Sequence, residues 1–167
     1  MIGTRVAVAL LRQVSLRRAS DIGAWLGTLA YRPFGLRAGV VERQVRAAFP
    51  GLDHPDVRRI AQSSYAHLGR ISIESAIVPG YSREKVLSLF DDIEGWEVFE
   101  RAVAAGRGVM IVTGHLGNWE LGGSLIGIKG IGMNAVARGM ENPLFDTYLT
   151  ENRLRLGVVV IDQKSVV

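Results

Sequence analysis

The stretch GVMIVTGHLGNWELGG, residues 108–123, sets His115 in a glycine-lined turn after an apolar run, five residues before Glu120. The chain has only three histidines, and a packed core has no use for one placed this way. The pair suits general-base chemistry. Near neutral pH an imidazole can take a proton from a hydroxyl, while a carboxylate on its other nitrogen fixes the tautomer and steadies the imidazolium. Five positions on an ideal helix lie about 140° apart, so the two side chains cannot share one helix face. They can meet if His115 lies in the loop and Glu120 in the first helical turn. Gly114 and Gly117 make such a turn sterically cheap. Asn118 suits the N-cap, and a helix start favours a carboxylate or a developing oxyanion. No serine stands in a GxSxG elbow, so the nucleophile would be an alcohol of the substrate attacking an activated acyl group.

Other chemistries fit the stretch less well. HExxH is absent, and no further His or carboxylate ligands stand at metal-binding spacing, so no metal is expected. The glycines fall as GxxG and then GG rather than as the GxGxxG of a dinucleotide loop. A plain strand-to-helix turn whose histidine only bonds backbone stays open on spacing alone. His54 and His67 have no acidic partner at a telling spacing and read as surface or packing residues, and Trp119 reads as a packing residue.

The elements around the pair are expected to form an α/β fold: a helical amino-terminal region, then a partial, mainly parallel sheet with flanking helices. Residues 4–31 read as one or two amphipathic helices ended by Arg32-Pro33, and 36–49 as another, stopped by Pro50-Gly51. Asp53 caps a helix reaching about Val78, where Pro79-Gly80 closes it; Ser82 caps a short one, and 94–105 supplies one more. Three strands are expected, at 108–113, 132–137 and 157–161, the first buried on both faces because it is apolar throughout. Helices at 119–128 and 143–156 fall between them, the alternation of a parallel sheet. Three such strands make a thin sheet with an open edge, which suggests the front part of a longer domain.

Composition narrows the partners. With 167 residues, 48% of them hydrophobic and 22% charged, the chain is globular and long enough for one core. The absence of cysteine excludes disulfides, thiolate metal sites and thiol nucleophiles. Residues 1–50 hold eight arginines (Arg5, Arg12, Arg17, Arg18, Arg32, Arg37, Arg43 and Arg46) against Asp21 and Glu42, a balance of +6. The remainder carries 12 basic and 14 acidic groups, or −2. These arginines alternate with Leu, Ile, Val and Trp25, the composition of an element lying in an anionic membrane interface. No apolar run approaches the roughly 20 residues of a membrane span, and no signal peptide is evident. Nucleic acid fits poorly because the stretch lacks stacking aromatics. Residues 1–50 are thus read as a basic membrane-contact region and 51–167 as part of the α/β domain.

The sequence HLGNWE, residues 115–120, with Thr113-Gly114 before it, resembles the HxxxxE motif of bacterial lipid A biosynthesis acyltransferases. These are the lauroyl/myristoyl transferase group within the lysophospholipid acyltransferase-like superfamily. VERQVRAAFP, residues 41–50, resembles the family's stretch before a Phe-Pro stop, with Gln44 where asparagine is usual. Asn142-Pro143, then Asn152-Arg153, Arg155 and Gly157, resembles its second block. The likeness covers roughly residues 5–163. It implies a glycerol-3-phosphate acyltransferase-like fold and transfer of a fatty acyl chain from an acyl carrier protein thioester to a hydroxyl of a lipid-linked sugar. It also implies a place on the cytoplasmic face of the inner membrane, as a peripheral or monotopic protein, with no cofactor. His115 resembles the general base and Glu120 its partner. Arg153 matches an arginine that steadies charge at the reacting carbonyl or holds substrate, with Asn118 and Arg138 as weaker members of that shell. Two rivals remain: a phosphatidylinositol mannoside acyltransferase that uses acyl-CoA, which has a similar motif, and a non-catalytic membrane-binding module. Family members run to nearly twice this length.

Overall fold

The computed structural model describes residues 2–165. Met1, Val166 and Val167 lie outside the described residues, as do the side chains of residues 2–5, including that of the expected membrane-contact residue Arg5.

The amino-terminal region is helical because its stop and start signals are strong. Helices α1 (Ile2–Leu11) and α2 (Leu16–Tyr31) are separated by a turn, and the Ser15 side chain caps α2 by accepting from the Arg18 N–H. Helix α3 (Ala38–Ala48) follows the Arg32-Pro33 break. Helix α4 (His54–Ile77) starts where Asp53 accepts from the Asp56 N–H at 2.8 Å, with Pro55 in its first turn, and runs into a 3₁₀ turn at Val78–Gly80. Ser82 caps α5 (Arg83–Leu87), and α6 is Trp96–Ala104.

Helices α2 and α4 are packed backbone to backbone. A Cβ on Gly23 or Gly27 of α2, or on Gly69 of α4, would drive into the facing helix's backbone, so the crossing admits only glycine. Buried Tyr31 closes its end, its ring 5.3 Å from that of Tyr65 and its hydroxyl donating to Glu42 Oε1 at 2.8 Å. The core joins Val8, Ala19, Ile77, Val78 and Val86 to Ile128 and Leu156 from the carboxyl-terminal half. The helical layer and the sheet region thus share one hydrophobic cluster.

The sheet has two strands among the described residues. β1 (Met133–Ala137) and β2 (Val158–Asp162) run parallel, in register from Met133↔Val158 to Ala137↔Asp162. They are joined by α8 (Pro143–Arg155), and α7 (Trp119–Ile128) precedes them. The fold is therefore α/β, mostly helical, with a small parallel sheet.

One expected strand does not form. Residues 108–113 have no regular structure and no ladder partner, and Met110 and Val112 are 89% and 88% exposed. A parallel strand exists only when a neighbour takes its N–H and C=O groups, and β1 pairs with β2 alone here. The apolar run marks a segment suited to burial between layers, and no described layer covers it.

Candidate active site

The HLGNWE segment is held at the start of α7. Gly117 adopts φ +57°, a left-handed conformation that glycine takes freely, and lets the chain turn into the helix. The Asn118 side chain then accepts from the Leu121 N–H at 3.0 Å, as expected of an N-cap, and Glu120 falls in the first turn.

Glu120 faces Arg153, delivered by α8 from 33 residues away. Arg153 Nε donates to Glu120 Oε2 at 2.9 Å, and Nη2 makes a second, shorter hydrogen bond to Oε1. Both side chains are mostly covered, so this is a two-pronged fork in a sheltered setting rather than a loose surface contact. The hydrogen bonding to Glu120 raises the Arg153 pKa above its ordinary value against the opposing effect of burial, and the charges of Glu120 and Asp146 add to the rise. Arg153 is a fixed cation.

His115 is placed differently from expectation. Its ring lies against that of Trp119, centroids 4.6 Å apart and tilted by 55°, and it is exposed. No hydrogen bond joins it to Glu120 among the described residues; the bonds of both Glu120 carboxylate oxygens run to Arg153. The segment puts the imidazole in the loop and the carboxylate in the first turn of α7, and α8 supplies the carboxylate's partner. Trp119 packs as expected, though on His115. Arg138 follows the carboxyl end of β1 and is exposed, with no ion pair among the described residues. His54 contacts Arg46 Nη2 through its Nε2 at 3.1 Å, and His67 is exposed. No three His, Asp or Glu side chains among the described residues cluster as metal ligands.

Sequence reasoning missed Glu74. This α4 residue accepts from Asn118 Nδ2 at 2.7 Å with one oxygen and, through a shorter bond, from Ser20 Oγ of α2 with the other. Its signal was a lone acidic residue among Ile71, Ile73, Ile77 and Val78. Asn152 was read as part of a motif and no more; it is 4% exposed and its Nδ2 has no partner. A cavity of ≈ 20 Å³ lies among Glu74, Ser75, Asn118, Glu120, Asn152 and Arg153. The two motif-bearing helices, α7 and α8, therefore meet over the carboxyl-terminal end of α4.

Residues 3–166 match the model of the family described as bacterial lipid A biosynthesis acyltransferase. The chain belongs to this family. It is 27% identical over 144 residues to the lipid A biosynthesis lauroyltransferase of Escherichia coli (strain K12), covering 86% of this chain and 46% of that protein. The palmitoleoyltransferase of lipid A biosynthesis from the same strain is 27% identical over 145 residues, with the same coverage. A lipid A biosynthesis acyltransferase of Haemophilus influenzae is 26% identical over 129 residues, or 77% of this chain and 40% of that one. The chain thus spans less than half the length of these curated relatives. No solved structure shows a significant match.

Proposed function

We propose that this chain carries the His/Glu part of an O-acyltransferase of lipid A biosynthesis, which moves a fatty acyl group from a carrier thioester to a hydroxyl of a lipid-linked sugar. The observation that carries the reading is the convergence of Glu120 and Arg153. Two segments far apart in the chain, both resembling the family's motifs, meet in one sheltered fork, and the first of them carries an exposed imidazole five residues before Glu120. His115 takes the proton of the acceptor hydroxyl as its oxygen attacks the thioester carbonyl, and the thiolate leaves as the tetrahedral adduct collapses. Each carboxylate oxygen offers two acceptor positions, so Glu120 can bind the imidazole N–H while Arg153 keeps its fork. This reading requires the His115 ring to leave Trp119 and turn toward Glu120. Arg153 holds Glu120 and supplies fixed positive charge near the developing oxyanion, where one donor contributes roughly 3–4 kcal/mol. The donor is an acyl carrier protein thioester or acyl-CoA.

The same reading places the protein peripherally on the cytoplasmic face of the inner membrane. No helix among the described residues is long and apolar enough to cross a membrane. Along α2 and the turn that follows it, Trp25, Leu26, Phe34 and Leu36 are exposed, as are Arg17 and Arg18 at the start of the helix and Arg32 and Arg37 after it. Apolar side chains that insert and guanidiniums that meet anionic headgroups are what interfacial binding needs.

In the full-length protein, His115→Ala and Glu120→Ala are each expected to cut acyl transfer at least about a hundredfold, the usual worth of a general base, while binding to anionic vesicles is unchanged. Transfer at the wild-type rate in either variant removes the mechanism.

A further inference from the structure

Asn118 has a task that capping alone does not explain. An asparagine amide can present either its oxygen or its nitrogen to a helix start, and the two orientations are nearly equal in shape. Only the oxygen can accept from the Leu121 N–H. Glu74 selects that orientation, because a carboxylate accepts and cannot donate: facing Glu74, Asn118 must turn its Nδ2 toward α4 and its Oδ1 toward α7. Glu74 is itself held, its second oxygen accepting from the mostly buried Ser20 hydroxyl. Ser20 lies on α2, which the glycine crossing at Gly23, Gly27 and Gly69 fixes against α4. The result is one chain of hydrogen bonds from α2 through α4 to the first turn of α7, and that turn contains Glu120. Two residues further along, α4 also holds α8, since the Ala76 carbonyl accepts from the Tyr148 hydroxyl at 2.9 Å.

We propose that Glu74 is a positioning residue for acyl transfer: its carboxylate orients Asn118 and so sets where α7 begins and where Glu120 stands between Arg153 and His115. The inference rests on the function proposed above for His115 and Glu120. In this proposal Glu74 acts through Asn118, to which it is hydrogen-bonded, and takes no direct part in the transfer.

The two roles of Asn118 separate experimentally. Aspartate caps helices as well as asparagine does, so a residue that only caps predicts that Asn118→Asp is harmless. Facing Glu74, however, the new carboxylate meets a second one where a donor stood. Asn118→Asp is therefore expected to lower kcat about tenfold or more, the equivalent of one lost buried hydrogen bond, with KM for the acyl donor unchanged. Glu74→Gln is expected to be mild alone, because its amide can donate to the Ser20 hydroxyl and still accept from Asn118. Combined with Asn118→Asp it restores a donor–acceptor pair, so the double variant should recover to within about threefold of wild type if coupling through this contact is complete. Melting temperatures of all four proteins are read alongside, and the restored pairing should appear there too. Wild-type activity in Asn118→Asp, or equal impairment with Glu and with Gln at position 74, overturns the proposal. Failure of the underlying mechanism is seen separately: His115→Ala then keeps its activity, while the 74/118 coupling persists in the melting temperatures.

Discussion

The α2–α4 crossing and the 108–113 segment are opposite cases of how apolar sequence is used. At the crossing, side chains are removed altogether at Gly23, Gly27 and Gly69, and two backbones meet in their place. At 108–113 every position from Val109 to Val112 carries a sizeable apolar side chain, and all four are exposed. Burial follows from complementary surfaces that are both present, and hydrophobicity of one segment does not secure it. The site inherits both behaviours. Glu120, Arg153 and Asn118 stand on helices docked to the packed layer, while His115 sits on the turn that continues the exposed segment.

Replacing the glycines is the strongest way to break that contrast. Gly27→Leu forces a side chain into the Tyr65 backbone, which cannot give way as a flexible side chain would. Overpacking of this kind costs about 3 kcal/mol or more, so a large fall in melting temperature is expected, with loss of the Tyr31 packing. A wild-type melting curve would mean that α2 does not lie on α4 in this way. Next in size is the fork. Arg153→Ala leaves the Glu120 carboxylate mostly covered and without its partner, a loss of about 2–3 kcal/mol after allowance for its partial exposure. Arg153→Lys should recover only part of it, since an ammonium cannot match the two-pronged geometry. Chemical denaturation midpoints measure both; an Arg153→Ala protein as stable as wild type shows the pair to be worth little.

The same contrast explains what was legible in the sequence. Helix boundaries rest on signals that act within three or four residues: Asp53, Ser82 and Asn118 cap where expected, and Asn142 caps the helix that starts at Pro143, each accepting from a nearby N–H. The two later strands formed because α8 returns the chain alongside β1. The strand expected at 108–113 depends on a distant neighbour, which local composition cannot supply. At the site, the turn, the cap and the motif residues were readable, and their pairing was not. Spacing put Glu120 near His115, but it contains nothing about α8 delivering Arg153 to both carboxylate oxygens. Glu74 escaped notice because its partners, Ser20 and Asn118, lie 54 and 44 residues away in sequence.

Within the packed layer, the Tyr31–Glu42 contact gives a smaller effect with a pH signature. The hydrogen bond from Tyr31 holds the Glu42 carboxyl below its ordinary 4.5, with help from Arg46 and His54 and against burial. Burial, followed by Glu42 itself, pushes the Tyr31 hydroxyl above its ordinary 10.0, with Arg32 opposing. A lowered carboxyl pKa contributes stability that is present above about 4.5 and is lost as pH falls through the lower folded value. A raised tyrosine pKa contributes stability that is present below 10.0 and is lost as pH rises through the higher folded value. The contact therefore works in the window between. Tyr31→Phe should cost about 1.5 kcal/mol at neutral pH, the worth of a hydrogen bond to a charged group, and less at either extreme. Denaturation at pH 3.5, 7 and 10.5 reads this; an equal penalty at all three pH values assigns the loss to packing.

The smallest effect belongs to the exposed apolar stretch, and its smallness is the test. Met110 and Val112 point away from every described layer, so replacing them with serine removes almost no buried area from this chain. Met110→Ser and Val112→Ser should each change its stability by no more than about 0.5 kcal/mol, as surface substitutions do. In the full-length protein the same two substitutions provide a sharper comparison. A loss there of about 2 kcal/mol per side chain, the worth of fully burying an apolar group of this size, would mean that a surface beyond the described residues covers the segment. The position of His115 would then be fixed by that covering as well as by its own turn.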